Sequence, residues 1–529
     1  MALGRGLLSR PDRVATRAVS LLGELGRVAT GSSSVVPHRH DRRFVDTAWT
    51  DNFLLRRLAQ SYLATARAAE GLVQDIPLDW RDAERVRFVT TNLIEALSPS
   101  NNPLTNPEAW KELIDTGGAS AVRGVSQLGR DVRSAPRVPS MVDPEAFEVG
   151  TSLACTPGSV VCRTPMFELI QYRPTTGTVR AEPVLVVPPT INKFYVLDLA
   201  PGRSLVEHLV SAGHQVFMIS WRNPDARHSK WGVDAYAQAI LDASDTTSEI
   251  TDSERIHLLA ACSGGILASM TAAHLATSPG RAEVASLTLL VTVLDQARMG
   301  TTEALTDERS AQKAIARSRR RGYLDGRDLA EVFAWLRPSD LIWNYWVNNY
   351  LLGRRPPAFD ILAWNADTTR MTSRLHADFI RIALSNALTR AGGATLLGTE
   401  VDLRRVSLDS YVVAGEADHI CPWDACFRSA RLLGGSTRFV LSTGGHIAAL
   451  VNPVGSSRAS FLVGSEPLAA SPGSAEWAAS AERHAGSWWH DYVTWLDARS
   501  GDEVPAPSTL GSSRHPAIEA APGSYVLDT

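Results

Sequence analysis

The sequence predicts an α/β fold: a mostly parallel β-sheet covered by helices on both faces, with a helical region ahead of it and a helical insertion late in it. Two observations carry this expectation. From about residue 165, short β-branched runs alternate with helical stretches: Val184 to Val187, Val216 to Ile219, Ile256 to Ala260, Leu287 to Val293, Tyr411 to Val413 and Phe439 to Leu441. Strands buried on both faces read as continuous apolar runs, and their alternation with helices is the pattern of a parallel sheet. The stretches between them carry a single apolar stripe, as in Val233, Tyr236, Ile240 and Leu241. The alternation then stops between about 298 and 400, where the chain turns helical and Trp-rich. An insertion of that size between two strands reads as a cap over the ligand-binding end of the sheet.

Ahead of the sheet, residues 45–165 read as a mainly helical domain, and 166–529 as the catalytic domain with its cap. Trp49, Phe53, Leu54, Leu58 and Tyr62 recur at helical spacing, and Asp79 and Asp82 flank the start of another run through Phe88 and Leu93. Residues 1–44 are Arg-rich with few acids and read as a flexible basic tail. Within it Val14, Ala18, Leu21, Leu22 and Leu25 have loose helical spacing, which also fits a segment lying on a hydrophobic surface or a mitochondrial transit peptide.

Composition excludes several classes. The chain has 529 residues, 44% hydrophobic and 21% charged, with net charge −3, which gives no reason to expect nucleic acid or a strongly acidic partner. It lacks the run of ~18 apolar residues that a membrane helix needs, and the N-terminus lacks a secretory pattern. Five scattered cysteines, Cys155, Cys162, Cys262, Cys421 and Cys426, argue against a disulfide framework and for a reducing cytoplasm. Cys421 and Cys426 lack the spacing of a zinc site, and no metal is expected.

The segment from Ile256 through Cys262-Ser263-Gly264-Gly265 to Ala268 is strand, tight turn, then helix. A nucleophile elbow needs that order, because the reactive side chain sits on a strained turn and small neighbours let strand and helix approach. The following helix brings its positive end to the nucleophile and lowers a thiol's pKa. Two frames fit: Ala260-x-Cys262-x-Gly264 makes the cysteine the nucleophile, and Ala261-x-Ser263-x-Gly265 makes it the serine. Pattern alone leaves both open.

An α/β-hydrolase triad runs nucleophile, acid, histidine along the chain. Tyr411-Val412-Val413-Ala414-Gly415 is a strand with Asp418 just past its end, and Phe439-Val440-Leu441 is another, leading through Gly444-Gly445 to His446. All three candidates thus fall at the C-terminal ends of strands, where α/β sheets bind ligands. Asp295 competes for the acid role but precedes the insertion, and is read as structural. An oxyanion hole needs one N–H from the residue after the nucleophile, Ser263, and one from a loop after an early strand. Pro188-Pro189-Thr190-Ile191-Asn192-Lys193 is that loop, and since proline has no N–H, Ile191 or a near neighbour is the expected donor.

At this point the sequence resembles the polyhydroxyalkanoate synthases, which polymerise 3-hydroxyacyl-CoA. The matching blocks are Pro188 to Tyr195, Ser220-Trp221-Arg222-Asn223-Pro224, Cys262-Ser263-Gly264-Gly265, Trp343-Asn344-Tyr345, Pro356-Pro357-Ala358-Phe359-Asp360, Trp364-Asn365, Asp418-His419-Ile420, Pro422-Trp423, Gly445-His446-Ile447 and Gly486-Ser487-Trp488-Trp489. They run in the expected order from about Arg43 to the end. The resemblance selects the cysteine frame. It implies an acyl-enzyme on Cys262, Asp418 and His446 as acid and base, and His419 and Asn192 as supporting partners. It further implies (R)-3-hydroxyacyl-CoA as substrate with CoA as leaving group, no cofactor, a homodimer, and a place on polymer granules in the cytoplasm. Departures from the family pattern are Ala260, where Gly is usual, and Thr190, where Cys is frequent and mainly backbone is expected to matter. The rival readings are a thioesterase or polyester depolymerase on the same scaffold, and a non-catalytic granule protein. Exclusion of water by the cap is what separates synthesis from hydrolysis, and Trp343, Trp346 and Trp364 there fit that role or, more commonly for any single tryptophan, plain packing of the cap core.

Overall fold

The computed structural model describes residues 2–39, 41–133, 135–143, 145–278, 282–464 and 467–529. Two compact units result: one of Met1–Asp143, Gly300–Thr306 and Arg327–Ala358, the other of Pro144–Met299, Asp307–Gly326 and Phe359–Thr529. The stretch 298–400, read from the sequence as one cap, therefore contributes 300–306 and 327–358 to the first unit and the rest to the second.

The second unit is built on an eleven-stranded sheet. In chain order its strands are β1 (Gly158–Arg163), β2 (Phe167–Tyr172), β3 (Val184–Val187), β4 (Val216–Trp221), β5 (Arg255–Ala261) and β6 (Glu283–Leu290). These are followed by β7 (Asp409–Gly415), β8 (Thr437–Ser442), β9 (Ser460–Val463), β10 (Glu482–Ala485) and β11 (Glu519–Ala520). Their spatial order is β10-β9-β8-β7-β6-β5-β3-β4-β2-β1-β11. The run from β4 to β8 is parallel throughout, and the outer strands pair antiparallel. Central β5 lies between β3 and β6, with Val187 beside Ala260 and Ala261 beside Leu290.

The period-2 alternation of a strand divides β5 between two cores. Ile256, Leu258 and Ala260 join the cluster that includes Val233, Tyr236, Ala237 and Ile240 of the helix Val233–Thr251. Leu259 and Ala261 join the opposite cluster, with Leu205, Val206 and Leu209 on one helix and Tyr492 and Leu496 on another. Both faces being covered explains why β5 is apolar at every position from Leu258 to Ala261. β6 starts earlier and ends earlier than the apolar run Leu287 to Val293 implied. The chain leaves the sheet at Val291, which takes a positive φ of 43°, and Thr292 Oγ1 turns back to donate to the Leu290 carbonyl at 3.0 Å.

The first unit is helical, with long elements Pro11–Thr30, Phe53–Asp75, Trp80–Ala96 and Ala119–Arg133. Asp79 caps the third of these, its carboxylate accepting from the N–H of Arg81 at 3.0 Å and of Asp82 at 3.1 Å. Residues 1–44 are not the tail read from the sequence. The apolar spacing there forms the helix Pro11–Thr30, which packs on Phe53–Asp75, buries Val28 and pairs Arg17 with Asp75 at 2.7 Å. Trp343 and Trp346 also belong to this unit. Their rings meet edge to face at 5.9 Å, and the Trp346 indole N–H donates to the Asn101 carbonyl at 3.0 Å.

In the second unit the helix Ser263–Leu275 approaches β3 so closely that Gly264 has no room for a side chain. A Cβ there would lie 2.4 Å from the Pro188 carbonyl oxygen and 2.5 Å from that of Val187, both backbone. Gly264→Ala is expected to destabilise the fold by about 1–3 kcal/mol, the usual cost of overpacking. A lower urea midpoint at unchanged slope would show it, and an unchanged midpoint would contradict this packing.

Candidate active site

The turn after β5 distinguishes the two sequence frames. Cys262 takes φ 51° and ψ −120°, a region costly for a non-glycine residue, whereas Ser263 is already the first residue of the helix. The surroundings hold Cys262 in this conformation. Its N–H donates to the Leu290 carbonyl at 2.9 Å, and its carbonyl accepts from the N–H of Gly265 at 2.9 Å and from Thr292 Oγ1 at 3.4 Å. A Cβ on Gly265 would fall 2.0 Å from Thr292 Oγ1, so this contact also requires glycine. Ser263 Oγ is engaged elsewhere, accepting from the Thr190 N–H at 2.9 Å and lying 3.1 Å from Thr190 Oγ1.

β7 and β8 are neighbours in register, Gly415 beside Ser442, so the loops leaving their ends meet. One carries Asp418 and the other His446, both buried. Asp418 Oδ2 lies 2.7 Å from His446 Nδ1. Asp418 Oδ1 accepts from the N–H of Ile420 at 2.8 Å and of Cys421 at 2.9 Å. With Nδ1 on the carboxylate, Nε2 is the nitrogen left to face a sulfur. The sulfurs of Cys262 and Cys421 and a ring nitrogen of His446 all lie within 4.8 Å of one another. Among the described residues this is the set of three whose donor atoms come close enough to share a metal ion, and sulfur and imidazole would favour a soft one.

The electrostatics follow from these contacts. The Cys421 thiol beside it, opposed by burial and reinforced by His446 and the Ser263 N–H at the helix start, holds the Cys262 thiol well below the usual thiol range. Burial by itself pushes the His446 imidazole down, but the Asp418 carboxylate, with Cys262, more than reverses this and lifts it to about 10. Proximity to Cys262 and burial push Cys421 well above the usual range, and burial does the same to Cys426. Both shifts favour the state in which the imidazole carries the proton and Cys262 is a thiolate.

Other sequence-derived candidates fall as follows. The Ser263 N–H is at the free first turn of the helix, next to the Cys262 sulfur. Ile191 is half-buried in the loop after β3, and Asn192 turns that loop with a φ of 64°. The loop is braced from three sides: the Trp221 indole N–H donates to the Pro188 carbonyl at 3.2 Å, Trp364 donates to the Lys193 carbonyl at 2.8 Å, and Ser263 holds Thr190. Trp364 is thus a buried brace for the loop, and Thr190 contributes its hydroxyl as well as its backbone. His419 follows Asp418 directly and is half-buried. Asp295 is structural: its carboxylate accepts from the Ala297 N–H at 3.0 Å and Asn386 Nδ2 at 2.9 Å, and pairs with Arg428 at 3.2 Å. Sequence reasoning missed Cys421 as a site residue. Its signal was position, three residues after the acid, where an Asx-type turn brings the chain back on itself.

A thiol on a strained turn after the central strand, with an Asp–His pair at the ends of two later strands, defines an α/β-hydrolase-fold enzyme with sulfur at its elbow. Residues 183–453 match the family described as alpha/beta hydrolase fold, and residues 40–209 match the N-terminus of poly-beta-hydroxybutyrate polymerase (PhaC). The chain is 44% identical over 525 residues to poly(3-hydroxyalkanoate) polymerase 2 of Ectopseudomonas oleovorans, covering 99% of this chain and 93% of that protein. It is 45% identical to polymerase 1 of the same organism, covering 95% and 89%. It is 40% identical to the poly(3-hydroxyalkanoate) polymerase subunit PhaC of Cupriavidus necator, covering 94% and 85%. The chain belongs to the poly(3-hydroxyalkanoate) polymerase family, as the sequence blocks implied.

The sign of the pH dependence follows from the two shifts. Cys262 is lowered, so its thiolate is lost only on acidification below that depressed value; His446 is raised, so its proton is lost only near pH 10. Alkylation of Cys262 by iodoacetamide is expected to change little from about pH 8 to 6, an interval over which an ordinary thiol slows roughly a hundredfold. His446→Gln is expected to restore the steep dependence. Peptide mass spectrometry reads both, and a steep wild-type profile would contradict the ion pair.

Proposed function

We propose that this chain polymerises (R)-3-hydroxyacyl-CoA thioesters into polyester with release of CoA, through a covalent acyl-enzyme on Cys262. The observation that carries this reading is the contact of Cys262 with an imidazole held by Asp418 at 2.7 Å, in a member of the polymerase family. The Cys262 thiolate attacks the thioester carbonyl carbon, forming a new C–S bond. The tetrahedral oxyanion meets the N–H groups of Ser263 and Ile191. The C–S bond to CoA then breaks, and His446 gives its proton to the departing sulfur. In the second half a hydroxyl, from the next hydroxyacyl unit or the growing chain, attacks the acyl-enzyme. Its proton passes to His446, with Asp418 holding and charging the imidazole. An ester forms, and the thiolate–imidazolium pair returns. His419 beside Asp418, and Asn192 beside Ile191, support these groups.

The reading calls for no cofactor and no metal, since CoA leaves as product. It places the enzyme in the cytoplasm, as a homodimer at the surface of polymer granules. An apolar surface of that kind suits the first unit, where Val122, Val125 and Val132 stand exposed along one side of the helix Ala119–Arg133. No described helix is long and apolar enough to cross a membrane.

CoA release from a 3-hydroxyacyl-CoA, with the acyl product sized by chromatography, tests this. Wild type is expected to yield CoA and high-mass polyester. Cys262→Ala is expected to lose at least about a thousandfold in CoA release, as removal of a covalent nucleophile does, and Ser263→Ala to retain turnover. Free hydroxy acid in place of polyester would mark a thioesterase, and a dead Ser263→Ala with an active Cys262→Ala would refute the cysteine mechanism.

A further inference from the structure

The second thiol makes and breaks no bond in this mechanism, yet it lies against the first. Cys421 is buried 6% exposed, its sulfur is within 4.8 Å of Cys262 Sγ and of a His446 ring nitrogen, and its N–H is pinned by Asp418 at 2.9 Å. Cys262 is half-buried, whereas Cys421 is buried. Closing a bond of about 2 Å between the two sulfurs takes less than about 3 Å of movement. A reactive thiol with a second thiol poised beside it is the arrangement of a reversible redox site.

We infer that Cys262 and Cys421 form a reversible disulfide on exposure to hydroperoxide, so that the acyl-transfer site is also a redox-modification site that switches the enzyme off and protects its nucleophile. In the first step the Cys262 thiolate attacks the terminal oxygen of the hydroperoxide. An S–O bond forms, the O–O bond breaks, and the departing alkoxide or hydroxide takes the proton of His446. Cys262 is now a sulfenic acid, oxidised by two electrons, and the peroxide is reduced. In the second step the Cys421 thiol gives its proton to the neutral His446, and its sulfur attacks the Cys262 sulfur. The S–S bond forms and the S–O bond breaks. Hydroxide leaves as water with the proton from His446. The balance is two thiols and one hydroperoxide to one disulfide, one alcohol or water, and one further water. A dithiol reverses it by exchange. The direction of attack follows from position, since Cys262 stands on the strained turn at the start of the helix Ser263–Leu275 and is half-buried, whereas Cys421 is buried behind it. Cys426 is the other neighbour, but its sulfur contacts the Cys421 carbonyl oxygen, at 3.7 Å.

The test uses the full chain, reduced and then freed of reductant, exposed to hydrogen peroxide in the presence of a chelator. Alkylation stops the reaction, unreduced peptides are mapped, and CoA release is measured before and after dithiothreitol. The expected result is a Cys262–Cys421 cross-linked peptide, free thiols falling from five by one pair, and CoA release lost and then restored by dithiothreitol. Under the same treatment Cys421→Val is expected to accumulate a Cys262 sulfenic acid that dimedone traps, and without dimedone to lose CoA release irreversibly. Two results would overturn the inference: wild-type Cys262 passing to sulfinic acid with no cross-link, or a disulfide joining Cys421 to Cys426. Mapping of wild type decides this even if the variant fails to fold. The inference rests on Cys262 being the activated thiol and not on the product made, so a chain that hydrolysed its substrate would leave the cross-link unaffected.

Discussion

The buried carboxylate of Asp418 holds two things at once. One oxygen takes His446 Nδ1 at 2.7 Å, and the other takes the N–H groups of Ile420 and Cys421 at 2.8 and 2.9 Å. Such a charge is tolerable in the interior only because every side of it is satisfied, and removing one partner of a buried pair costs on the order of 3–5 kcal/mol. From this contact the rest of the site follows in sequence. The carboxylate raises the imidazole's pKa against the effect of burial, the Cys421 thiol and the imidazolium together favour a thiolate at Cys262, and the pinned N–H fixes the loop that carries Cys421. A neutral side chain at 418 would therefore weaken three features together, not one.

The counterpart of this electrostatic anchor is steric. The conformation of Cys262 is costly, and it persists because strand, helix and the loop after β3 converge on it at backbone distance. Glycines at 264 and 265 permit that convergence. The loop after β3 is bound to the helix through Thr190 and Ser263 and to the surrounding core through Trp221 and Trp364. The N–H groups proposed to receive the oxyanion thus lie on rigid elements, so little reorganisation is needed as charge develops.

Much of this was legible in the sequence because it is local. Runs such as Val184 to Val187 and Ile256 to Ala260 are buried on both faces and have no alternative to a parallel sheet. A strand followed by Ala-Cys-Ser-Gly-Gly and a helix has few uses other than an elbow. The order of Cys262, Asp418 and His446 then located an Asp–His pair that the structure brings together at 2.7 Å. What the sequence concealed depends on contacts between distant segments. The choice between Cys262 and Ser263 is a matter of backbone angle. Cys421 looked like an unpaired cysteine because its neighbour in space is 159 positions away, from 262 to 421. The N-terminal segment looked like a tail because its apolar stripe is thin and is covered by a helix some tens of residues later. The Trp-rich stretch after 298 carried no mark of where it divides between two units.

The most direct measurement is the mass of the enzyme caught in mid-reaction. The chain would be mixed with an acyl-CoA whose 3-hydroxyl is replaced by hydrogen, so that no acceptor hydroxyl is supplied, quenched in acid and mapped by peptide mass spectrometry. The account predicts one acyl group in thioester linkage on Cys262, together with an equal quantity of released CoA. An acyl group on Ser263, or release of CoA with no acylated Cys262 at any time, would contradict it.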